Sequence, residues 1–125
     1  DYTILPDDVE IIKNKLIELS DKNINLIITT GGTGFSKRDV TPEATIAVCD
    51  RMAYGISEAI RSYSLTITKR AMLSRGVSGI RKNSVIINLP GSLKAVTESL
   101  DVFMDIIGHG IGVLVGNDKE CGNIK

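Results

Sequence analysis

The stretch NLIITTGGTGFSKRDVTPEAT, residues 25–45, decides the fold of this chain. Consecutive apolar residues at 26–28 lead into a glycine-rich turn, and Arg38 and Asp39 follow that turn before Pro42 begins a predicted helix. This order predicts a sheet strand whose carboxyl end opens into a loop, which is where open α/β folds bind ligands. Successive N–H groups of a glycine loop can bind an anion, because glycine lets the backbone approach the ligand closely.

The turn itself consists of Gly31, Gly32, Thr33 and Gly34. It is not a Walker A loop, because no Lys-Ser/Thr pair follows at the required spacing, and the dinucleotide pattern G-x-G-x-x-G is absent. Its position between a buried strand and a charged pair favours a phosphate-binding or pterin-binding loop. A plain connection between strand and helix is the alternative interpretation.

Asp39 is a candidate catalytic and metal-ligating residue. A carboxylate beside an anion site repels the ligand unless a cation lies between them, so Asp39 suggests Mg²⁺, which prefers one or two carboxylates together with phosphate oxygens. A surface pair with Arg38 or a turn cap is the other interpretation of Asp39. Asp7, by its residue type and spacing, fits the N-cap of a helix in a capping box with Glu10. Asp8 could exchange roles with Asp7, because helix starts are uncertain by a residue or two.

Two further segments carry polar residues that could contact a ligand. Ser74 and Arg75 follow an apolar AML sequence, and by residue type a serine at this place is suited to capping a turn. The only histidine, His109, is remote in sequence from every motif, so a Ser-His catalytic pair has little support.

The second of these segments, at residues 88–92, is NLPGS. Asn88 ends a predicted buried strand, where a polar side chain is costly unless it is paired. Pro90 and Gly91 either end the strand in a turn or border the site. Ser92 is the predicted N-cap of a long helix, whose unpaired N–H groups form a second possible anion site.

Composition limits the classes of function. With 125 residues and 42% hydrophobic residues, the chain can bury the core of one domain. Its 15 basic and 15 acidic residues exclude a nucleic-acid-binding electrostatic footprint, and no apolar run approaches the roughly 18 residues of a membrane span. No signal-peptide pattern opens the chain. Cys49 and Cys121 lack metal-type spacing, so we expect reduced thiols in a cytoplasmic protein, with a lone disulfide as the alternative.

Apolar periodicity predicts the remaining elements. The predicted helices are residues 7–20, 42–52, 56–64 and a long one from residue 92. A buried parallel strand is expected at 25–29 and a β-hairpin at 76–89, and residues 111–115 either finish the last helix or form a short strand. The apolar face of the last helix is expected to comprise Leu93, Val96, Leu100, Phe103, Met104 and Ile107. These elements predict an α/β fold, a three-layer α/β/α sandwich with a mostly parallel sheet and a β-hairpin.

Four ordered motifs carry a resemblance to a known family. They are LPDDVE at 5–10, GGTGFSKRDVTPEAT at 31–45, AMLSRGVSGIR at 71–81 and IINLPGS at 86–92. Together they resemble the molybdenum-cofactor domain shared by bacterial molybdopterin adenylyltransferases and the G domain of gephyrin, over roughly residues 4–107. One departure is Lys37, where the family loop usually has proline.

The resemblance implies molybdenum cofactor biosynthesis, in which the AMP of ATP is joined to the phosphate of molybdopterin with release of pyrophosphate. It assigns Asp7 and Asp39 to Mg²⁺ and the nucleotide, and the glycine loop to backbone contacts with the ligand. It assigns Ser74 and Asn88 to orienting the pterin. The expected substrate-binding residues are Gly31, Gly32, Thr33, Gly34, Ser74, Arg75, Asn88, Pro90, Gly91 and Ser92.

The resemblance also implies an organisation for the whole protein. We expect residues 1–125 to form a single domain that lacks the first strand and helix of the family domain. A homotrimer and a molybdate-inserting partner of the same pathway are expected. The alternative function is a non-catalytic molybdopterin carrier or scaffold, which a missing first loop would favour.

Overall fold

The computed structural model describes residues 1–116. In this part of the chain, helices connect four strands, except that the last two strands follow each other directly. In chain order the elements are α1 (Val9–Asp21), β1 (Leu26–Thr30), α2 (Thr41–Val48), β2 (Arg51–Met52), α3 (Tyr54–Leu65), a 3₁₀ helix (Lys69–Leu73), β3 (Ser78–Arg81), β4 (Ser84–Leu89) and α4 (Leu93–Val115).

The four strands form one sheet in the order β1-β4-β3-β2. β1 pairs parallel with β4, so their last residues, Thr30 and Leu89, lie side by side at one edge of the sheet. β3 and β4 form the predicted hairpin. Because only two residues join them, they must run antiparallel, and β2 also pairs antiparallel with β3. The sheet of residues 1–116 is therefore mixed rather than mostly parallel.

Helices cover both faces of this sheet, which confirms the three-layer α/β/α arrangement. Every residue of β4 is buried, and its side chains alternate between two cores. Ile86 packs with α1 and α2, whereas Val85, Ile87 and Leu89 pack with α3 and α4. β4 is thus the central strand, and it positions the NLPGS segment that follows it.

β1 is parallel, as predicted, but it is not fully buried. Among residues 1–116 it pairs only with β4, so it forms an edge of the sheet. Ile27 is buried, whereas Ile28 is 36% exposed and Thr30 is exposed as well. The apolar run of this strand therefore reflects one covered face and one partly open face.

Two predicted helices have different extents in the structure. The helix expected at 42–52 ends at Val48, because Cys49 has extended backbone angles and Asp50 N–H donates to the Ile80 carbonyl at 2.8 Å. That bond starts the pairing of β2 with β3. α4 runs unbroken from Leu93 to Val115, so residues 111–115 finish the helix and do not form a strand.

The predicted apolar face of α4 is only partly correct. Phe103 and Ile107 are buried, but Leu93 is 83% and Met104 48% exposed. Met104 follows Phe103 directly and is rotated about 100° away from it around the helix. Leu93 is the first helical residue and continues the exposed turn before it. Among the helices of residues 1–116, none has the length and apolar character needed to cross a membrane.

Cys49 is a free thiol next to the sheet, as expected, whereas Cys121 lies outside the described residues. Burial raises the pKa of the Cys49 thiol to about 11, and the neighbouring Asp50 carboxylate adds to the effect. The thiol is therefore protonated at neutral pH and a poor nucleophile.

We predict that Cys49 reacts slowly with a disulfide reagent. In a Cys121→Ser variant at pH 8, the native chain should react on the order of 10²-fold more slowly than the same chain unfolded in urea, because its thiolate fraction is that much smaller. Absorbance of the released thiol measures both rates. Equal rates would contradict the burial of this side chain.

Candidate functional site at the carboxyl edge of the sheet

The glycine loop leaves the end of β1 in a conformation that few other residues adopt. Gly31 has φ +85° and Gly32 has φ +70°. Gly31 N–H donates to the Leu89 carbonyl at 2.9 Å, and Thr41 N–H donates to the Gly32 carbonyl at 3.2 Å. A Cβ at Gly32 would overlap the Thr41 hydroxyl oxygen. The first bond anchors the loop to β4, and the second anchors it to the start of α2.

The turn after β4 lies directly against this loop. A Cβ on Gly91 would stand 3.4 Å from the Gly31 Cα, so the two backbones nearly touch. Ser92 is confirmed as the N-cap of α4, since its Oγ accepts a bond from Ala95 N–H at 3.1 Å. The glycine loop and the PGS turn, far apart in the chain, therefore form one surface.

Asp39 closes the loop. Its Oδ2 accepts a bond from Ser36 N–H at 3.0 Å, and Asp39 N–H donates to the Ser36 carbonyl at 3.0 Å. The alternative of a pair with Arg38 is wrong, because the Arg38 guanidinium contacts Asp7 instead, at 3.4 Å. Within residues 1–116, Oδ1 of Asp39 has no hydrogen-bond partner, so one carboxylate oxygen is left for a ligand.

The sequence left open whether Asp7 or Asp8 is the N-cap of α1, and the structure decides this. Asp8 is the N-cap, since its Oδ1 accepts a bond from Ile11 N–H at 3.0 Å. The capping box predicted for Asp7 and Glu10 is therefore wrong by one residue, because the extended backbone of Asp8 places the start of α1 at Val9. Asp7 is left free of the cap and lies beside the loop through its contact with Arg38.

A similar shift of one residue occurs at α2. The predicted helix starts at Pro42, whereas α2 begins at Thr41 and its N-cap is Val40, without a side-chain bond. Thr41 is buried, and its N–H is already bonded to Gly32. The tight fit against the glycine loop takes the place of a capping bond.

Ser74 and Arg75 lie on the other side of the glycine loop, directly after the 3₁₀ helix. Arg75 N–H donates to the Thr33 carbonyl at 2.7 Å, which ties the AMLSR segment to the loop. The alternative of a turn cap is supported for Ser74, whose Oγ lies 3.4 Å from the N–H of Gly76. This bond is long, so the hydroxyl can still turn toward a ligand.

Asn88 is almost completely buried, at 3% exposure, and its side chain is fully paired. Its amide nitrogen donates to the hydroxyls of Thr29 and Thr45, both at 3.0 Å. Its Oδ1 accepts a bond from Val77 N–H at 3.1 Å. These bonds join β1, α2 and the segment before β3, so both amide hydrogens are already used inside the protein.

Two openings border these residues. A groove of about 540 Å³ runs along the outer side of β1 and is lined by Asp7, Gly31 and Gly32 among others. A small cavity of about 40 Å³ lies on the opposite side, next to Ser74 and Pro90.

The small cavity contains polar residues that the sequence analysis missed. They are Ser57, Arg61 and Ser64 of α3. Their spacing of four and three residues places them on one helix face, and this was the signal that could have found them. Arg61 donates to the Gly76 carbonyl at 2.9 Å, which holds the segment after Arg75 against α3.

The donor set is compatible with Mg²⁺ but not with a metal held by protein alone. Among residues 1–116, no group of three or more His, Cys, Asp or Glu side chains could hold a metal ion. Mg²⁺ is commonly bound by one or two carboxylates and the phosphates of a substrate. Asp39 has a carboxylate oxygen available beside the loop, which fits that mode.

The arrangement matches a known family. The model of the family described as "Probable molybdopterin binding domain" matches residues 1–109. The chain belongs to this family. The expected resemblance is therefore confirmed, and so is the α/β fold class.

Curated relatives support the same assignment. The chain is 45% identical over 119 residues to gephyrin of Dictyostelium discoideum, covering 95% of this chain and 17% of that protein. It is 42% identical over 117 residues to the molybdopterin adenylyltransferase of Helicobacter pylori, covering 93% of this chain and 66% of that protein. The chain thus spans less than two thirds of the length of these relatives.

A solved structure agrees with the fold. The chain resembles the molybdopterin biosynthesis enzyme MoaB of Thermus thermophilus with a TM-score of 0.83 and 42% sequence identity. The match covers 89% of this chain and 70% of that one. The helices and strands described above are therefore those of this family's fold.

We predict that Gly32→Ala destabilises the protein by about 2 kcal/mol or more, because a left-handed backbone and a clash with Thr41 add together. Gly108→Ala is the control: a Cβ at this helical glycine meets nothing within 4 Å, and alanine favours a helix. Urea unfolding measures both. Equal midpoints for Gly32→Ala and the parent would contradict the loop geometry.

The pairing of Glu43 with Arg75 predicts a pH dependence. A hydrogen bond from Arg75 holds the pKa of Glu43 below its usual value, against a smaller opposing effect of burial. Because the pKa is lowered in the folded state, the stabilisation is present above the ordinary pKa of about 4.3 and is lost as pH falls through the lowered value.

The corresponding measurement compares Tm of the parent and of Glu43→Gln across pH. The parent should be slightly more stable at pH 7, and the difference should shrink steadily as the pH falls below the ordinary pKa of a glutamate. The effect is small, because about half of the Glu43 side chain is exposed and solvent screens the pair. A difference that grows toward low pH would contradict it.

Proposed function

We propose that this chain is the catalytic domain of a molybdopterin adenylyltransferase. In the reaction, an oxygen of the molybdopterin phosphate attacks the α-phosphorus of ATP. A new phosphoanhydride bond forms, and the bond between that phosphorus and the oxygen bridging to the β-phosphate breaks. Pyrophosphate leaves with the electron pair of the broken bond, and adenylylated molybdopterin remains. The names of the adenylyltransferase relatives support this activity.

The observation that carries the proposal is the meeting of three distant segments at one edge of the sheet. The glycine loop contacts the PGS turn through Gly31 and Gly91, and it contacts the AMLSR segment through Thr33 and Arg75. Backbone N–H groups and one free carboxylate oxygen thus converge at a single place. Such a set suits two highly charged phosphate groups that must be brought together in line.

The residues at this edge would act mainly by positioning and by balancing charge. The Gly31 N–H is already bonded to Leu89, so the N–H groups of Gly32, Thr33 and Gly34, together with those at the very start of α4, would contact phosphate oxygens. Asp39 and Asp7 would hold Mg²⁺, which supplies positive charge to the phosphates when it is bound. Preorganised groups of this kind provide much of the rate acceleration in phosphoryl-type transfer.

The pterin side of the site is proposed to be the surface around Ser74, because the adjoining cavity of about 40 Å³ has room for only a few waters and not for a whole pterin. The Ser74 hydroxyl would donate to an oxygen of the pterin or of its phosphate. The hydroxyls of Ser57 and Ser64, and the guanidinium of Arg61, add hydrogen-bonding groups around the same cavity. Asn88 borders this cavity and stabilises its walls, because its amide group donates to the hydroxyls of Thr29 and Thr45. A direct contact between Asn88 and the pterin stays a prediction.

We predict that Asp39→Asn lowers kcat for pyrophosphate release by about 10²-fold or more, the usual cost of one preorganised electrostatic group. The purified protein is mixed with molybdopterin, ATP and Mg²⁺, and pyrophosphate is measured. Asparagine keeps one side-chain oxygen, which can accept the bond from Ser36 N–H that Asp39 Oδ2 accepts in the parent, so the loop should stay folded.

The matched control is Asp50→Asn. Asp50 also accepts a backbone bond in a turn, from Lys82 N–H at 2.7 Å, but at the opposite end of the sheet. Its variant should keep activity within about twofold, because exposed groups remote from the site have small effects. Tight molybdopterin binding without pyrophosphate release in the parent would overturn the catalytic proposal and support the carrier or scaffold.

The assembly and surroundings of the protein are inferred from the family resemblance. We infer a homotrimer, a molybdate-inserting partner and a cytoplasmic location. The exposed apolar side chains of Leu93, Met104 and Ile106 on α4 are available for contacts between copies. Sedimentation equilibrium tests the trimer directly, and a monomer at micromolar concentration would contradict it.

A further inference from the structure

The Arg75 side chain is unusual because nearly all of its donors are used inside the protein. A guanidinium has five N–H donors, and four side-chain bonds are formed. Nε donates to the Gly34 carbonyl at 2.7 Å, and Nη2 donates to the Asp39 carbonyl at 2.6 Å. Nη1 and Nη2 donate to the two carboxylate oxygens of Glu43, at 2.6 and 3.3 Å. Little hydrogen-bonding capacity is left for a substrate.

The two carbonyls that Arg75 binds lie on either side of one short loop. Gly34 and Asp39 flank the exposed loop formed by residues 35–38. The Arg75 guanidinium therefore bonds to both ends of this loop, and the bond from Ser36 N–H to the Asp39 carboxylate is formed within it. The position of the Asp39 carboxylate therefore depends on a guanidinium that belongs to a different segment of the chain.

Glu43 determines the orientation of this guanidinium. It lies in the first turn of α2 and makes a two-pronged contact with Arg75. Paired N–H···O bonds of this kind fix the plane of the arginine as well as its distance. With that plane fixed, the remaining N–H groups point at the carbonyls of Gly34 and Asp39.

The backbone of the same residue completes the link. Arg75 N–H donates to the Thr33 carbonyl at 2.7 Å, so Ser74 is held at a defined distance from the glycine loop. The loop, with Asp39 at its end, and Ser74 are the groups that the proposed reaction needs on either side of the transferred phosphate. A single arginine connects them.

We propose that Arg75, oriented by Glu43, is a positioning residue that holds the glycine loop and Asp39 in register with Ser74. This inference rests on the proposed function for its effect on catalysis, but its structural part is independent of it. It differs from the substrate-binding role that the resemblance implies for Arg75. Lysine cannot substitute, because one ammonium group cannot bond to two carbonyls and a carboxylate with the fixed geometry of a guanidinium.

The chain offers a matched control for this experiment in Arg81. Its guanidinium also bonds to a backbone carbonyl, that of Val48 at 3.1 Å, and to the hydroxyl of Ser20 at 3.0 Å. It lies in β3 near the opposite end of the sheet, far along the strands from the glycine loop. Arg81→Lys therefore reports the cost of losing a structural arginine without disturbing the proposed site.

The first measurement is amide hydrogen exchange, which needs no substrate. In Arg75→Lys, the N–H groups of Ser36, Asp39 and Thr41 should exchange at least about tenfold faster, because the bonds that protect them depend on the loop geometry. In Arg81→Lys these amides should exchange as in the parent, whereas that of Lys82 should be faster. Unchanged exchange at Ser36 and Asp39 in Arg75→Lys would overturn the proposal, whatever the activity.

The second measurement is steady-state pyrophosphate release at a temperature where every variant is folded. Arg75→Lys should lower kcat by about 10²-fold, because small misplacements of positioning groups have effects of that size, while KM for ATP changes much less. Glu43→Gln keeps one carbonyl acceptor for Arg75 and should show a smaller loss. Arg81→Lys should keep kcat within about twofold even if its Tm falls.

These readouts separate the two proposals. If the parent releases no pyrophosphate, the proposed function fails, and hydrogen exchange still decides whether Arg75 holds the loop. If the parent is active and Arg75→Lys loses no more kcat than Arg81→Lys, the positioning role is wrong. If the double variant Glu43→Gln/Arg75→Lys loses no more kcat than Arg75→Lys alone, the two residues act as one unit, as proposed.

Discussion

The parallel pairing of β1 with β4 is the constraint on which the rest of the structure depends. It places Thr30 and Leu89 side by side, and the N–H of Gly31 continues the ladder by one more bond to Leu89. The loop after β1 and the turn after β4 must therefore start from the same edge and meet. A slip of this register by one residue would turn the buried Ile86 toward the other face and separate the two segments.

A buried polar residue reinforces that register. Asn88 opposes Thr29 across the parallel pair and also bonds to Thr45 of α2 and to the backbone of Val77. Each of these groups would cost about 1–3 kcal/mol if it were left buried without a partner. Other registers leave them unpaired, so the amide favours one arrangement of strands and helix over its competitors.

Much of the fold could be predicted from local patterns. The consecutive apolar residues of β4 and the spacing on α1 indicate burial directly, and Ser92 is a cap by its residue type and position. Exposure was harder to predict. Ile28 and Met104 have apolar side chains, but whether they are covered depends on which elements lie beside them, and a single element does not contain that information.

The candidate site was predictable in its residues but less so in their roles. The motif around Asp39 identifies the loop, whereas the pairing of Arg38 with Asp7 depends on contacts between distant segments. The cap at Asp8 rather than Asp7 is a shift of one residue that propensity cannot resolve. The substrate-binding role expected for Arg75 comes from the resemblance and stays a prediction, whereas the bonds of its guanidinium to Gly34, Asp39 and Glu43 follow only from the folded geometry.

The edge position of β1 has a consequence for how this site can be extended. Among residues 1–116, no strand pairs with the outer N–H and C=O groups of β1, which border the groove that reaches Gly31, and such an edge is a template for another strand. A strand added there in parallel would end level with Thr30, so the loop that follows it would project over the glycine loop.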